Sequence, residues 1–563
     1  MRLEYFHIGG SSDDPAHRFR NLRDVAIRFD TSHWVTVAIG WNGTGKSNIL
    51  EALAIVFREL IMEKPPSVPF AFRLIYRIGL NEDSRRVFVN WDPLAGDERI
   101  TVSVQSLDGD VLQSLNADDL SEPVGKSMSM AAFRRDPRNL PKYVFSYYSG
   151  EGTRLQEVFL PYLEKYDSDL RAGKDPGLKR LFYAMPVHSQ FVLLAFLIHQ
   201  DDQVRSFMSA HLGIDPDVGV ESVLFVLRQP PWSNTTEEGD SRFWNARGIV
   251  QRFLSRLQEV AIAPLATESR VPVSLWNKRN LGFKYLFLNG PAALRNLVQE
   301  QSSAEFFRDL ESTYVSQLVE EVRIRIRLND GASVTFRELS EGEQQLLTVL
   351  GLLRFTAEEE SLFLLDEPDT HLNPRWSVDY LKYLELFLEA RGDQRTSHVV
   401  MTTHNPIAIA GLEREQVQVV SRHDLQRTTV GHPALAPKGM GYAGVVTSDM
   451  FGLGSSLDRE TTDDLRRLHR LADRSELSSA DRVELSSLRR KLEDLDFNFA
   501  ARDRLEQEFR RARFDLVSGD LSPDMGSEDS NPIVTPENKA QALTALIASL
   551  LAETKESGED LGL

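Results

Sequence analysis

Apolar and polar residues alternate from Leu22 to Phe29 in RNLRDVAIRFD, the pattern of a strand with one buried face. WVTVAIG follows as a nearly continuous apolar run ending at Gly40, which predicts a central strand covered on both faces. Helical spacing takes over in SNILEALAIVFRELIM, so strand, glycine-rich loop and helix succeed one another directly. From about residue 70 to 118, FAFRLIYRIGL, RRVFVNW and ITVSVQSL predict a small antiparallel sheet. LDGD reads as a tight turn there, which makes Asp108 and Asp110 hairpin residues in preference to a metal pair. A further strand is expected at Tyr143 to Tyr148, followed by a glycine-containing turn. Residues from about 155 to 300 read as mostly helical with no sustained heptad, a compact insertion and not a coiled coil. Strand alternation returns in VRIRIRL; NDG turns the chain, and ASVTFREL delivers it into LSEGEQ.

LSEGEQ opens an apolar helix, SLFLLDEP is a buried strand ending in two carboxylates, and HVVMTTHNP is an apolar strand followed by a histidine. IAIAGLEREQVQVVSR then completes the sheet, and GHPALAPKGMGYAG forms a loop. Between Asp458 and Arg513 charges of both signs accompany leucines at three- and four-residue spacing. That pattern predicts two or three surface helices, with an antiparallel pair turning at SELSSAD. Residues 519–536 read as a linker and NKAQALTALIASLLAET as a final helix. The expected division is an N-terminal lobe over 1–154, a helical insertion over 155–314, a C-terminal lobe over 315–430 and a charged helical region over 431–563.

Composition narrows the class. The hydrophobic fraction of 41% and charged fraction of 26% are those of a soluble globular protein, and 563 residues suggest about three domains. With no cysteine, disulfides, a thiol nucleophile and cysteine-ligated zinc are excluded. MRLEYFHIGG lacks the pattern of a signal peptide, and no apolar stretch is long enough to span a bilayer. FVLLAFLI at Phe191–Ile198 is a core helix, and a cytoplasmic protein without a membrane partner is expected. The net charge of −18 disfavours nucleic-acid binding over the whole surface while leaving room for a local basic face.

Four motifs carry chemistry. GWNGTGKSN at Gly40–Asn48 fits GxxxxGK[ST]: the backbone of Gly40, Asn42, Gly43, Thr44, Gly45 and Asn48 would cradle phosphates at a helix N-terminus. Lys46 would reach the terminal phosphates, and Ser47 would ligate Mg2+. In SLFLLDEP, Asp366 would hold the Mg2+ shell and Glu367 would act as general base toward water. Ser340, Gly342 and Glu343 begin the LSEGEQ helix; Ser340 and the Gly342 backbone would offer its N-terminus to a γ-phosphate, although Ser before Glu three residues on is also a capping box. His404, after its apolar strand, is either structural or catalytic.

Together GWNGTGKS, LSEGEQ, FLLDEP and TTHNP resemble the ATP-binding-cassette (ABC) ATPases, in the soluble SMC/RecF/OLD branch, over about residues 1–60 and 330–425. The glutamate of LSEGEQ and the pattern DEPDTHLNP point to that branch. The resemblance implies an α/β fold: an ABC-ATPase head with a mixed central sheet, a flanking antiparallel sheet, a helical insertion and a helical C-terminal region. It also implies ATP and Mg2+ as cofactors, and a head-to-head pair in which Lys46, Ser47, Asp366, Glu367 and His404 act in cis and Ser340 and Gly342 in trans, with Asp369 at the seam. The glutamine expected after the next strand is missing; Gln156, beyond the turn after Tyr148, fits it poorly. The region after His404 reads as charged helix and not as strands bearing the DxD set of a nuclease, so no nuclease domain is expected. YVFSYYSGEGTRL and FGLGSSLDRETTDDL resemble the ATPases of Septu and retron-associated anti-phage systems, which implies a separate HNH nuclease as partner and nucleic acid engaged through the complex. The alternative is a RecF-like repair ATPase that clamps DNA. A transporter subunit fits least, because the insertion is large and its signature differs.

Overall fold

The computed structural model describes residues 1–495, apart from 11, 13, 81–82, 97–98, 108–124, 199, 234–237, 273–277, 357–359, 390–395, 424–426, 454, 473 and 475–477. The turn expected at Asp108 and Asp110, the linker 519–536 and the last expected helix lie outside the described residues. The chain forms two compact units, Met1–Leu453 and Gly454–Leu563.

A six-stranded antiparallel sheet opens the first unit, with β1 (Arg2–Ile8), β4 (Val25–Arg28), β6 (Phe72–Ile78), β7 (Arg85–Trp91), β8 (Ile100–Ser106) and β9 (Lys126–Met128) in the order β4-β1-β6-β7-β8-β9. A small hairpin, β2 (Arg18–Phe19) and β3 (Leu22–Arg23), branches from it. The central sheet has seven strands: β5 (Val35–Ile39), β10 (Tyr143–Tyr148), β11 (Leu181–Tyr183), β17 (Ser361–Asp366), β18 (His398–Thr402), β19 (Val417–His423) and β20 (Arg427–Gly431). Their order is β11-β10-β17-β18-β5-β19-β20, parallel throughout except for the last, antiparallel strand.

Two apolar clusters sandwich this sheet. Phe363 and Leu365 of β17 enter one of them, and Leu362 and Leu364 enter the other. Burial on both faces is why these strands read as unbroken apolar runs. The protein is therefore α/β, with the mixed central sheet that the resemblance implies and the flanking antiparallel sheet that the pattern predicts. The strand expected at Tyr143 to Tyr148 lies beside β17, with Tyr148 opposite Asp366.

The stretch read as mostly helical does hold helices, among them Arg154–Arg171, Val187–Ile198 and Gly248–Val260. It also supplies β12 (Val220–Arg228), β13 (Ile262–Pro272) and β14 (Lys278–Asn289), which join β15 (Val319–Arg327) and β16 (Ser333–Thr335) in a third, antiparallel sheet. The pattern hides β13 because nearly all of its residues are exposed. Backbone pairing with β14 defines the strand, and an edge without a buried face carries no two-residue periodicity.

One buried ionic cluster ties the edge of the central sheet to the helices. Glu311, on the helix Ser303–Val315, receives Lys179 on one carboxylate oxygen and His188 Nε2 on the other, the latter at 2.6 Å. All three side chains are inaccessible to solvent. His188 is tethered on its far side, where Nδ1 accepts the Met185 N–H at 2.7 Å. Burial alone would raise the Glu311 carboxyl, but His188 and Lys179 hold it down to about 2.

In the second unit the helices Arg459–Ala472 and Ser479–Asp494 form the expected antiparallel pair. Leu468, Leu471, Leu488 and Leu492 pack between them, and Lys491 reaches back to Glu460 and Asp464 at 2.5 and 2.7 Å. Among the described residues no helix is long and apolar enough to cross a membrane.

Replacing Glu311 by Gln leaves the Lys179 ammonium buried without its counter-charge, so a loss of about 3–5 kcal/mol is expected in denaturant unfolding. Because the folded carboxyl is depressed, its contribution is complete above the ordinary glutamate range and fades as pH falls toward about 2. The wild-type protein should lose stability across that window, and Glu311→Gln should lack that component of the acid transition.

Candidate functional site

The loops that leave the carboxyl ends of β5, β17 and β18 meet, as expected for a parallel sheet whose ligands gather at that edge. β18 lies between the other two, with Thr402 opposite both Asp366 and Ala38. The loop after β5 is shaped by its glycines. A Cβ on Gly40 would sit 2.2 Å from the Val420 carbonyl oxygen, and Gly43 and Gly45 adopt φ of 82° and 111°. The helix Lys46–Ile61 starts at once, so the loop's N–H groups gather at a helix N-terminus, the natural seat of an anion.

Lys46 is buried, and its Nζ donates to the carbonyls of Gly40 (2.6 Å) and Trp41 (3.2 Å). Burial lowers its pKa, against the pull of Glu367 and Asp366. Ser47 Oγ donates to Asp366 Oδ1 at 3.0 Å, and Thr402 Oγ1 donates to the same oxygen. Burial raises the Asp366 carboxyl, partly offset by these two hydroxyls. Glu367 has φ of 51°, a left-handed conformation that costs a non-glycine residue about 1–3 kcal/mol and is concentrated at functional sites. Its N–H is held by Thr402, and its carboxylate lies 3.4 Å from His404 Nδ1. His404 is half exposed at the mouth of the site. Asn42 and Trp41 are exposed at the tip of the phosphate loop.

Other predicted positions lie elsewhere. Ser340 and Glu343 form a full capping box: the Ser340 N–H and hydroxyl donate to Glu343 Oε2 at 2.6 and 2.7 Å, and Ser340 Oγ accepts the Glu343 N–H at 3.3 Å. The Glu343 carboxylate is thus engaged within its own helix, Glu341–Thr356. Gly342 lets that helix press on the loop after the acid pair, since a Cβ there would come 2.7 Å from the His371 carbonyl oxygen. Asp369, expected at a seam between copies, is turned inward: it is buried and accepts the Thr403 hydroxyl at 2.8 Å. Gln156 sits on the helix Arg154–Arg171 with its amide 3.8 Å from Met185 Sδ, so it does not face Ser47 or Asp366. Ser149 occupies the turn after β10, its N–H donating to the Asp366 carbonyl at 3.3 Å.

Asn21 supports the glycine-rich loop, a position that sequence reasoning missed. From the end of the small hairpin its amide donates to the carbonyls of Thr44 (2.9 Å) and Gly43 (3.3 Å), while its oxygen accepts from Asn48 (2.6 Å). Thr428 of β20 donates to the same Thr44 carbonyl at 3.1 Å. The phosphate loop is therefore clamped from two segments remote in sequence, and no local motif marks either one.

With this geometry established, comparison with known proteins is informative. The AAA_21 family, an AAA domain of AbiEii type (Type IV TA system), matches residues 238–410, which include LSEGEQ, the acid pair and His404. This match and the relative described next support an ABC-type ATPase. The chain is distantly related to Septu protein PtuA of Bacillus mycoides, 26% identical over 123 residues, a stretch covering 21% of this chain and 16% of that protein. Among solved structures, the SMC head domain from Thermotoga maritima aligns with 77% of this chain and 99% of its own at 13% identity and a TM-score of 0.30. The Pyrococcus furiosus Smc head domain bound to the C-terminal domain of ScpA aligns over 77% and 96%, at 13% identity and the same TM-score. At such scores the fold assignment rests on the strand order and the site described above.

Asn21→Ala removes three hydrogen bonds from the loop without touching the core. It should weaken nucleotide binding about tenfold in a calorimetric titration, a loss of roughly 1.4 kcal/mol for the side chain's bonds taken together, and leave the thermal midpoint nearly unchanged.

Proposed function

We propose that this protein binds and hydrolyses ATP with Mg2+, that two copies pair head to head, and that pairing regulates a separate effector nuclease, of HNH type, in anti-phage defence within the cytoplasm. The ATPase reading is carried by one observation: Lys46, Ser47, Asp366, Glu367 and His404 converge from three adjacent parallel strands.

The residues fit the cofactors. Ser47 Oγ and the Asp366 carboxylate are hard oxygen donors side by side at a helix N-terminus, the kind of pair Mg2+ accepts when phosphate and water complete its shell. Bound there, Mg2+ would neutralise charge on the transferring phosphoryl group. Lys46, which now donates to two loop carbonyls, would turn its ammonium to the phosphates. Glu367 would take the proton of the attacking water, with His404 steering its carboxylate.

Pairing is supported by what LSEGEQ touches. The Ser340 and Glu343 side chains bond to each other within their own helix, and Gly342 lies against the loop following the acid pair. Ser340 is exposed at the start of that helix and would offer it to a nucleotide held by a second copy. The partner nuclease and the defence role come from the relationship to Septu protein PtuA.

Glu367→Gln should retain ATP, hydrolyse it at least about 100-fold more slowly and accumulate a paired species in size-exclusion chromatography. Unaltered turnover would remove Glu367 as the base. Lys46→Ala should abolish calorimetric ATP binding. A nuclease encoded next to this protein should copurify with it, and DNA cleavage by the purified ATPase alone would overturn the division of labour.

A further inference from the structure

The nucleotide site leaves the outer face of the third sheet unused. Alternate residues of a strand share a side. Val322, Ile324 and Ile326 of β15 are buried, so Arg323, Arg325 and Arg327 stand together on the opposite face. The strand rise spaces them about 6.8 Å apart. Strand register extends this face across the sheet, since Leu224 of β12 is opposite Arg323, and Phe287 of β14 is opposite Leu224. Tyr285, two residues before Phe287, is near enough to Arg323 to influence its charge. Phe287 is 38% exposed, and the neighbouring edge strand adds Ile262 and Leu265 at 53% and 59%.

The acidic groups facing this row are few. Glu321 pairs with Arg323 (2.8 Å) and with Arg337 (2.6 Å), and Glu221 pairs with Arg327. Glu338 is held by the hydroxyl of Thr335, the cross-strand neighbour of Arg325, so four arginines face three glutamates, a small local positive excess on a chain of net charge −18. The arginine ends of these pairs are the open ones, at 40–76% exposure, so a phosphate can reach them from outside while the mostly covered glutamates stay in place. A partner strand is disfavoured at the sheet's edge, because Pro264, Pro272 and a register irregularity between Ile262 and Leu265 interrupt β13.

We infer that this face binds an extended single-stranded nucleic acid, with phosphates along the β15 arginines and bases resting on Leu224, Tyr285 and Phe287. The arginine spacing suits an extended backbone, and the flat apolar strip beside it offers a stacking surface that a purely acidic peptide would not use. A single strand is favoured over a duplex because only unpaired bases can turn their faces onto the apolar strip. Arg325 is paired with Thr335 of β16, five residues before Ser340. Occupancy of this face therefore bears on the segment that leads into LSEGEQ.

The test uses the full chain without ATP, so its outcome is independent of the ATPase reading. Labelled oligo-dT and oligo-U are titrated in fluorescence anisotropy, and their relative affinities decide between DNA and RNA. Three arginine–phosphate contacts predict a slope of log K against log salt near about −2, and Arg325→Ala should reduce its magnitude by about 0.7. Phe287→Ala should weaken oligonucleotide binding about tenfold and leave binding of inorganic polyphosphate, which has no bases, unchanged. Combining Arg323→Glu, Arg325→Glu and Arg327→Glu should abolish binding; if that variant fails to fold, Arg325→Ala decides. Absence of oligonucleotide binding, or affinity and slope unmoved by these substitutions, overturns the inference. Polyglutamate binding as tightly as the oligonucleotide also overturns it and marks the face as a site for an acidic protein.

Discussion

The Ser47 hydroxyl and the Asp366 carboxylate are 319 residues apart in sequence and share a hydrogen bond of 3.0 Å. Such a bond is worth about 1 kcal/mol, far too little to organise a fold, so the dependence runs the other way. The parallel sheet must bring β5 and β17 into register on either side of β18 before the two side chains can meet. Everything inserted between them, two additional sheets and the helices that cover them, has to leave this register intact. Apolar cover on both faces of β17 and β18 accomplishes that.

The site itself is costly for the fold. A lysine and an aspartate are buried near each other, burial acts against the charged form of both, and Glu367 is held in a left-handed conformation. The surroundings offset this through hydroxyls and backbone groups. Thr402 serves both Asp366 and Glu367, Thr403 holds Asp369, and Asn21 and Thr428 pin the loop that carries Lys46. These supports come from β18, the small hairpin and β20, which makes the phosphate loop sensitive to the placement of strands well outside its own motif. The third sheet relates differently to the chemistry. Its last strands run straight into Ser340, so a ligand on its arginine face and the LSEGEQ helix are mechanically adjacent.

The family match, over residues 238–410, begins beyond the glycine-rich loop and includes LSEGEQ, the acid pair and His404. The loop at Gly40–Asn48 lies outside that match; its left-handed glycines, the helix that starts at Lys46 and the bond from Ser47 to Asp366 bring it against the matched acid pair.

The glycine-rich loop, the turns that carry the acid pair and the histidine, and the strands before them were legible in the amino-acid order. Each is a local pattern: a continuous apolar run for a strand buried on both faces, then a short polar or glycine-rich turn. The flanking antiparallel sheet and the paired helices of the second unit were legible for the same reason, as strict alternation and leucine spacing. Only the tertiary structure disclosed β13, an exposed edge strand whose partner and not its side chains defines it. The same holds for the clamp by Asn21 and Thr428, the inward turn of Asp369 and the Lys179–Glu311–His188 cluster. Each of these depends on which distant backbone a side chain meets, and a single isolated Asn, Thr or Glu carries no periodic signal to announce that.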